Sequence, residues 1–534
     1  MMHGDKMRRF NSYGPVDCEA HFCVGRDDLV NGCAEQLVGD PGKGGHYFTV
    51  WAPRQTGKTW LVQQVKKEIE KRLGDRFDVA MMSMQGVIMK QDDPPEAFLS
   101  RIPLLFQRFF KQSVEKPEDW ETLSSLFSKS TGLFRNPLIL FIDEFDKLPA
   151  PVIDNLASIF RDIYLDRDHF RLHSLALIGV RAVLGVESER GSPFNIQRSL
   201  HVPNFKSDEV TELFRQYQEE SGQTVEPAVV QNVFEATRGQ PGLVCWFGEL
   251  LTETYNPGKD DPIDMDVWNE TFRMACVKEW NNTVLNIVQK ARGEHRDPIL
   301  ELFSRSDVPF SIDSEWRSYA YLNGIIDSET VEDSHGRKTE ICRFASPFIQ
   351  HRLYNAFMLD LIGDTSPILA LEPFDRLTDV FDKPEIDVPA LLKRYKGYLT
   401  RLKAAGLNPW KDQPRRRDLH IREAVGHFHL YFWLQQAVED VCVVTPEFPT
   451  GNGRVDLRLQ CGDQAGVIEV KSYKSQLMLE KAQTQAVRYA KRLNLSAITL
   501  AVFTPVDDEA VLAKLSGETM IGGTRVVVVA IGWV

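Results

Sequence analysis

The sequence has no apolar run of about 20 residues and no signal-peptide pattern, so membrane spanning and secretion are not expected. It has no CxxC pair among its eight cysteines. Cys18, His21, Cys23 and Cys33 stand near one another, but their spacing is not that of a common zinc site. The thiols are therefore expected to be unpaired, in a reducing cytoplasm. Basic residues are the minority: 63 Lys and Arg against 75 Asp and Glu leave a net charge of -12. That balance excludes a protein that coats nucleic acid indiscriminately and confines any such contact to local basic patches.

What is present is ordinary globular material. The 534 residues are 43% hydrophobic and 26% charged, enough for a large core. As a prior, that length spans about three to four domains.

The stretch that organises the chain is WAPRQTGKTWL, Trp51–Leu61. An apolar run, Tyr47–Val50, reads as a buried strand before it, and Leu61–Leu73 has a helical pattern after it. Strand, glycine loop and helix is the setting that a phosphate-binding loop needs. Ala52 to Thr59 fits G-x-x-x-x-G-K-[ST], with Ala52 in place of the first glycine. Gly57 lets backbone N–H groups turn toward a phosphate, Lys58 adds a point charge, and the Thr59 hydroxyl can ligate Mg2+. The positive end of the following helix points to the same place. Arg54, Gln55, Thr56 and Trp60 complete the loop as expected nucleotide contacts.

The second element of that site is NPLILFIDEFDKL, Asn136–Leu148. An apolar run ending in two acids reads as a buried parallel strand that delivers carboxylates at its C-terminal edge. Asp143 is expected to hold Mg2+. Glu144 is expected to orient and deprotonate the attacking water, because phosphoryl transfer needs in-line positioning and charge neutralisation. Asp78–Ser83 reads as a further strand, Pro94–Phe110 and Trp120–Phe127 as amphipathic helices, and Leu172–Val180 as another strand.

Several segments resemble parts of signal-transduction ATPases and of relatives of the origin-recognition ATPases. HFCVGRDDL, His21–Leu29, resembles the box ahead of their phosphate loop, which would set Arg26 beside the base; a plain helix start is the other reading. Arg181, at the tip of the Leu172–Val180 strand, resembles their sensor arginine, although strand-end arginines are also often merely solvated. Ser192–Val210 resembles the approach to their helical lid. GQPGL, Gly239–Leu243, resembles their G-x-P motif, with Pro241 starting a helix toward the nucleotide, or else an ordinary turn before a proline-started helix. Residues 298–354 look like a winged helix: helices at Ile299–Phe303 and Ser314–Tyr321, strands at Gly324–Asp327 and Thr339–Phe344. Acids beside Arg337 and Lys338 in its polar turn favour a lid over a DNA reader.

The C-terminal part changes character. Ile421–Gln435 reads as a helix, Val441–Val444, Arg454–Leu459 and Gly466–Lys471 as strands, Leu477–Leu493 as a helix, and Ala497–Phe503 and Thr524–Ile531 as strands. That order, αβββαβ, and its residues resemble the PD-(D/E)XK nucleases. GNGRVDLRL puts Asp456 on the second strand, and VIEVKS puts Glu469 and Lys471 two apart on one face of the third. Glu423 stands on the leading helix. QAVRY supplies the Gln485-x-x-x-Tyr489 motif of the branch that includes RecB-type exonucleases. Asp456, Glu469, the Val470 carbonyl and Glu423 can hold one or two Mg2+ (or Mn2+) ions, and Lys471 can stabilise hydroxide or phosphate. Acids this close repel one another unless a cation is present. Arg454 and PRRRD, Pro414–Asp418, are candidate phosphate contacts, with a solvated charge cluster as the other reading of the latter.

Together, FNSYGP at Phe10–Pro15, the loop, the DE pair, SPFN, the winged helix and the C-terminal set resemble prokaryotic AAA-like ATPases fused to a PD-(D/E)XK nuclease domain. The fold class expected is α/β: a P-loop core of the ASCE type with helical lid and winged helix, plus a restriction-endonuclease-like αβββαβ domain. The domains expected are 1–200 core, 201–290 lid, 291–362 winged helix, 363–410 linker helices and 411–534 nuclease-like. The resemblance implies an ATPase and metal-dependent deoxyribonuclease, with ATP and Mg2+ as cofactors, DNA as substrate, a homo-oligomer, no membrane, and a role in defence against phage or mobile DNA. Arg161, Arg167 and Arg198 are candidates for an arginine finger supplied in trans. The competing reading is a nucleotide-switched scaffold whose C-terminal fold binds nucleic acid or a partner without cutting.

Overall fold

A computed structural model of the chain describes residues 7–179, 198–303, 308–332, 337–362, 368–382, 385–411, 413, 421, 423–438, 441–449, 454–462 and 464–533. It has two compact units: Met1–Thr283 with Leu322–Gly324, and Val284–Tyr321 with Ile325–Val534.

The first unit runs α1 (Asp27–Val38), β1 (Tyr47–Trp51), α2 (Lys58–Leu73), β2 (Asp78–Ser83), α3 (Ile102–Phe110), α4 (Trp120–Ser125), β3 (Leu138–Asp143), α5 (Ala150–Leu165), β4 (Leu172–Gly179) and β5 (Arg198–His201). The strands lie in the order β2-β3-β4-β1-β5, and every neighbouring pair is parallel. All six residues of β3 are buried, because both faces of the sheet are covered. Leu138, Leu140 and Ile142 pack with residues of α3 and α5 such as Phe106, Leu156 and Phe160. The alternate residues Ile139 and Phe141 pack with Leu37 of α1 and Val62 and Val65 of α2. Four helices follow: α6 (Ser207–Ser221), α7 (Pro227–Thr237), α8 (Pro241–Glu249) and α9 (Met265–Val277).

One expected helix is two elements. Residues Pro95–Arg101 form a 3-10 turn and the α-helix starts at Ile102. Pro103, at the start of α3, has no N–H to give back four residues, and its ring crowds that carbonyl. The expected unpaired thiols are found at Cys33, Cys245, Cys276 and Cys342, and the expectation is corrected for the other four: Cys18 pairs with Cys23 and Cys442 with Cys461. A turn in which Ala20 N–H donates to the Asp17 carbonyl at 3.0 Å precedes the first closure. Strand pairing beside Val443 and Gln460 brings the second two cysteines opposite each other. Spacing along the chain reveals neither geometry.

The second unit carries α10 (Asn282–Ala291), most of which lies in it, then α11 (Arg296–Glu301), α12 (Glu315–Leu322) and an antiparallel hairpin of β6 (Ile326–Glu332) and β7 (Lys338–Phe344). Then come α13 (Pro347–Ile362), α14 (Thr378–Phe381), α15 (Val388–Ala404), α16 (Glu423–Val438), β8 (Val443–Pro449), β9 (Arg454–Cys461), β10 (Gln464–Ser472), α17 (Gln476–Arg492), β11 (Ala497–Thr504), α18 (Glu509–Leu515), β12 (Gly517–Ile521) and β13 (Thr524–Gly532). The last six strands form one sheet in the order β12-β13-β11-β10-β9-β8. Ile498, Leu500 and Val502 of β11 pack with Leu479, Ala486 and Val487 of α17. On the other face, Phe503 meets the rings of Tyr395 on α15 and Trp410, and crowds Gly426 of α16. The stretch expected as linker thus contributes a buried layer, with Leu391, Leu392, Tyr395 and Tyr398 in its core. Helix α13 joins the same layer: the Tyr354 ring packs on Phe428 and Tyr431.

Candidate functional site

The first site is built where β1 ends. Gly57 has φ +84°, a conformation open to glycine at little cost, and it turns the chain directly into α2 at Lys58. Lys58 Nζ donates to the carbonyls of Ala52 at 2.8 Å and Pro53 at 2.6 Å. Burial pushes its ammonium down to about 8, against the raising charges of Asp146 and Asp143. Thr59 Oγ1 donates to Asp143 Oδ2 at 3.1 Å, so the two expected Mg2+ ligands already touch, one from the first turn of α2 and one from the end of β3. The Glu144 N–H donates to Asp143 Oδ1 at 2.9 Å. Burial raises the Asp143 carboxyl, and the bond from Thr59 opposes the shift. Glu144 has φ +56°, an uncommon backbone for a side-chain-bearing residue, and its carboxylate pairs with Lys147.

Beside this loop is a cavity of about 200 Å3 lined by the FNSYGP segment, Cys23, Arg26, Gly57 to Trp60, Phe205 and Pro241. The FNSYGP segment is held from both sides. Ser12 N–H and Oγ donate to Glu249 at 2.7 and 2.6 Å, and the Ser12 carbonyl accepts from Gln55 Nε2 at 3.0 Å. Phe10 packs among Phe22, Phe214 and Tyr217. Sequence reading assigned this segment no contact. The signal was there in the FNS triplet, an apolar anchor followed by two small polar residues, but the partner Glu249 is 237 residues away.

Arg26 lines the cavity, yet its guanidinium is tied down by Glu209 at 3.0 Å and by the carbonyls of Pro203 at 2.9 Å and Asn204 at 3.2 Å. Pro241 starts α8 as expected from the G-x-P motif. Gly242 N–H donates to the Gln55 carbonyl at 2.9 Å, and Gln240 Nε2 donates to the Arg54 carbonyl at 3.0 Å. Gln55, Thr56 and Trp60 are on the cavity wall; Arg54 is exposed and is not part of it. Arg181 and PRRRD lie outside the described residues, as does the side chain of Arg198. Arg167, a finger candidate, is held within its own chain: Nη1 donates to the Lys43 carbonyl at 2.7 Å, and the guanidinium lies 4.0 Å from the Tyr164 ring centroid.

The second cluster is built on β9 and β10, two interior strands of the six-stranded sheet, and on the start of α16. Strand period two sets Val467, Glu469 and Lys471 of β10 on the face that α17 covers. Lys471 Nζ lies 3.1 Å from Glu469, 3.2 Å from Glu423 and 3.4 Å from Asp456, and donates to the Val470 carbonyl at 2.9 Å. Asp456 Oδ2 accepts from Val470 N–H at 2.6 Å, and the Asp456 carbonyl meets His427 Nε2 at 2.8 Å. Glu469 is buried, and its Oε2 has no hydrogen-bond partner. Burial, then the charge of Asp456, holds Glu469 well above the usual carboxylate range. The three carboxylates outweigh burial and hold Lys471 protonated far into base. Gln485 Nε2 donates to the Tyr489 hydroxyl at 2.5 Å. Among the described residues, no group of three or more His, Cys, Asp and Glu side chains is placed so that it could hold a metal ion as it stands.

Residues 11–253 match the family model of an AAA-like domain. With the loop, the DE strand and the parallel sheet, this makes that part of the chain an ATPase-like P-loop domain, for which ATP and Mg2+ are the implied cofactors. Solved structures similar to this chain include Orc1 of Aeropyrum pernix in complex with DNA, at 16% identity and TM-score 0.33 over 62% of this chain and 93% of that one. The RuvB Holliday junction branch migration motor of Thermotoga maritima matches at 18% identity and TM-score 0.33, over 59% and 92%. A Walker-type ATPase of Pyrococcus abyssi matches at 16% and 0.41, over 66% and 99%. No curated protein matches the chain. No helix among the described residues is long and apolar enough to cross a membrane.

Proposed function

We propose that this chain is an ATP-binding and ATP-hydrolysing protein that controls a Mg2+-dependent DNA nuclease carried by its C-terminal sheet. The observation that carries the reading is the gathering of Glu423, Asp456 and Glu469 around the single ammonium of Lys471. With all three carboxylates ionised they would exceed the one charge of Lys471 by two in a largely buried place, a cost that the raised Glu469 reflects and that a further cation would relieve. The unpartnered Glu469 Oε2 is a free ligand atom for one. Asp456, Glu469, Glu423 and the Val470 carbonyl are the groups that would hold it, and Mg2+ or Mn2+ suits an all-oxygen set. A metal held by these groups would supply an acidified water and neutralise charge on a scissile phosphate. Lys471 keeps its proton and aligns the carboxylates, while Gln485 and Tyr489 flank the same face.

In the ATPase half, Lys58 and the Gly57 turn receive phosphate, Thr59 and Asp143 hold Mg2+, and Glu144 orients and deprotonates the attacking water after release from Lys147. Arg181 is assigned as the sensor of the γ-phosphate and Arg26 as a wall of the base pocket. Arg161 and Arg198 remain the finger candidates in a homo-oligomer. A cytoplasmic role against phage or mobile DNA fits this pairing of activities. The domain limits expected from sequence are retained as part of the proposal.

A second reading has one observation in its favour. Lys471 already spans all three acids, as an internal counter-ion would in a nucleotide-switched scaffold that binds without cutting. Light scattering with ATP or ADP, run beside Mg2+-dependent cleavage of single- and double-stranded DNA, separates the two. Nucleotide-dependent oligomer size with no cleavage supports the scaffold. Cleavage that Lys58→Ala uncouples from ATP supports the controlled nuclease.

A further inference from the structure

The solvent face of α17 carries Lys481, Arg488 and Arg492 at intervals of seven and four residues. At 3.6 residues per turn the three fall within roughly 40° of one another around the helix. With Thr484, Gln485 and Tyr489 they line an open groove of about 550 Å3, in which Glu480 is the one acid. Lys481 and Arg488 are exposed, and neither is in an ion pair among the described residues. In a chain of net charge -12, this is a local basic patch of the kind that nucleic-acid binding requires.

Tyr489, on the wall of the groove, leads from it toward the acid cluster. Gln485 is exposed at its surface, and its amide donates to the hydroxyl of the buried Tyr489 at 2.5 Å. Tyr489 packs in one cluster with Val467, on the face of β10 that also carries Glu469 and Lys471. Lys481 and Arg488 are separated by a rise of about 10 Å along the helix, the axial span of roughly three phosphates in one strand of B-form DNA.

We propose that this groove is the track for the phosphodiester backbone of a DNA strand, with Lys481 and Arg488 as phosphate contacts that lead it past Gln485 and Tyr489 to Glu469 and Lys471. The proposal rests on the nuclease reading of that cluster and names how its substrate is held. Phosphate contacts of this kind position a strand without reading its sequence.

The test uses the full-length chain, a fluorescein-labelled single-stranded oligodeoxynucleotide and EDTA, with binding followed by anisotropy over a NaCl series. The neutral double variant Lys481→Gln/Arg488→Gln is expected to bind about tenfold more weakly, with a log–log salt slope smaller by about 1.4, at about 0.7 per single-strand contact. Lys481→Arg/Arg488→Lys keeps the wild-type slope. Wild-type affinity and slope in the neutral variant overturn the track, as does tighter binding of an RNA oligonucleotide of the same sequence. A Mg2+ cleavage arm separates this from the reading beneath it. Wild type that cuts, beside a neutral variant with unchanged KM, overturns the track alone. Slope loss in the neutral variant with no cleavage by wild type supports the groove and overturns the nuclease.

Discussion

The amide of Gly242 donates to the carbonyl of Gln55 at 2.9 Å. A lid helix is thereby fastened to the phosphate-binding loop by main-chain atoms, at a residue of that loop with φ +57°. Any movement of the loop on nucleotide binding is felt at the start of α8, and the reverse holds.

A side chain at Gly242 should break this fastening. Its Cβ would stand 2.6 Å from the Cβ of Gln55 and 3.1 Å from the Gln55 carbonyl oxygen, so the loop must shift. Gly242→Ala is expected to cost about 1–3 kcal/mol of stability and to weaken ATP binding. Gly397→Ala is the control: its Cβ meets nothing within 4 Å, and in an exposed helix interior it should gain about 0.5–1 kcal/mol. Thermal melts with and without ATP check both. Equal melting shifts would dissolve the distinction.

Arg26 lines the cavity and is also tied down by three acceptors. Its side chain is 8% exposed and divides its donors between Glu209 and two carbonyls. Arg26→Lys retains charge but cannot reach three acceptors with one ammonium. A loss of about 1–3 kcal/mol in urea unfolding is expected from the carbonyls left unsatisfied. A lysine variant as stable as wild type would show that the carbonyl bonds contribute nothing.

The second unit should lose stability in mild acid in part through His429. Burial pushes His429 down to about 3, and its ring is enclosed by Tyr395, Tyr398 and Trp410, with the Tyr395 hydroxyl 2.6 Å from Nδ1. No charged group contributes to the shift. The unfolded chain takes up a proton on this histidine below its ordinary value of 6.5, and the folded chain does not until about 3. Its contribution is therefore complete above 6.5 and falls by about 1.4 kcal/mol for each pH unit below it. His429→Gln, which cannot titrate, should flatten the pH dependence of unfolding between pH 6.5 and 4.5 by that slope. Parallel curves for the two proteins would contradict the assignment.

Strong periodicity and dense chemistry were legible without coordinates. The loop at Ala52–Thr59, the six buried residues of β3, and the strand holding Glu469 and Lys471 are each specified by residues adjacent in the chain. What escaped depends on distant partners or on elements too short to carry a period. Strand β5 has four residues, RSLH, and joins the sheet only because β1 offers an open edge. The β12–β13 hairpin turns at Gly522–Gly523, both at positive φ, and only its second strand has an apolar pattern. The docking of Ser12 on Glu249, the Cys442–Cys461 pair and the capture of Arg26 depend on distant partners, while the Cys18–Cys23 pair depends on a turn that its spacing does not reveal. The basic groove is lined by α17 alone, and its three cations form no motif that marks them in the sequence.

The central claim is that the cluster of Glu423, Asp456, Glu469 and Lys471 cuts DNA. Its most direct test is the initial rate at which the full chain cleaves a labelled DNA in Mg2+ and ATP, for wild type and Glu469→Gln. The account predicts a metal-dependent rate in wild type and a loss of about a hundredfold or more in the variant, the scale seen when a group acting on the transition state is removed. A variant that cuts as fast as wild type would contradict it.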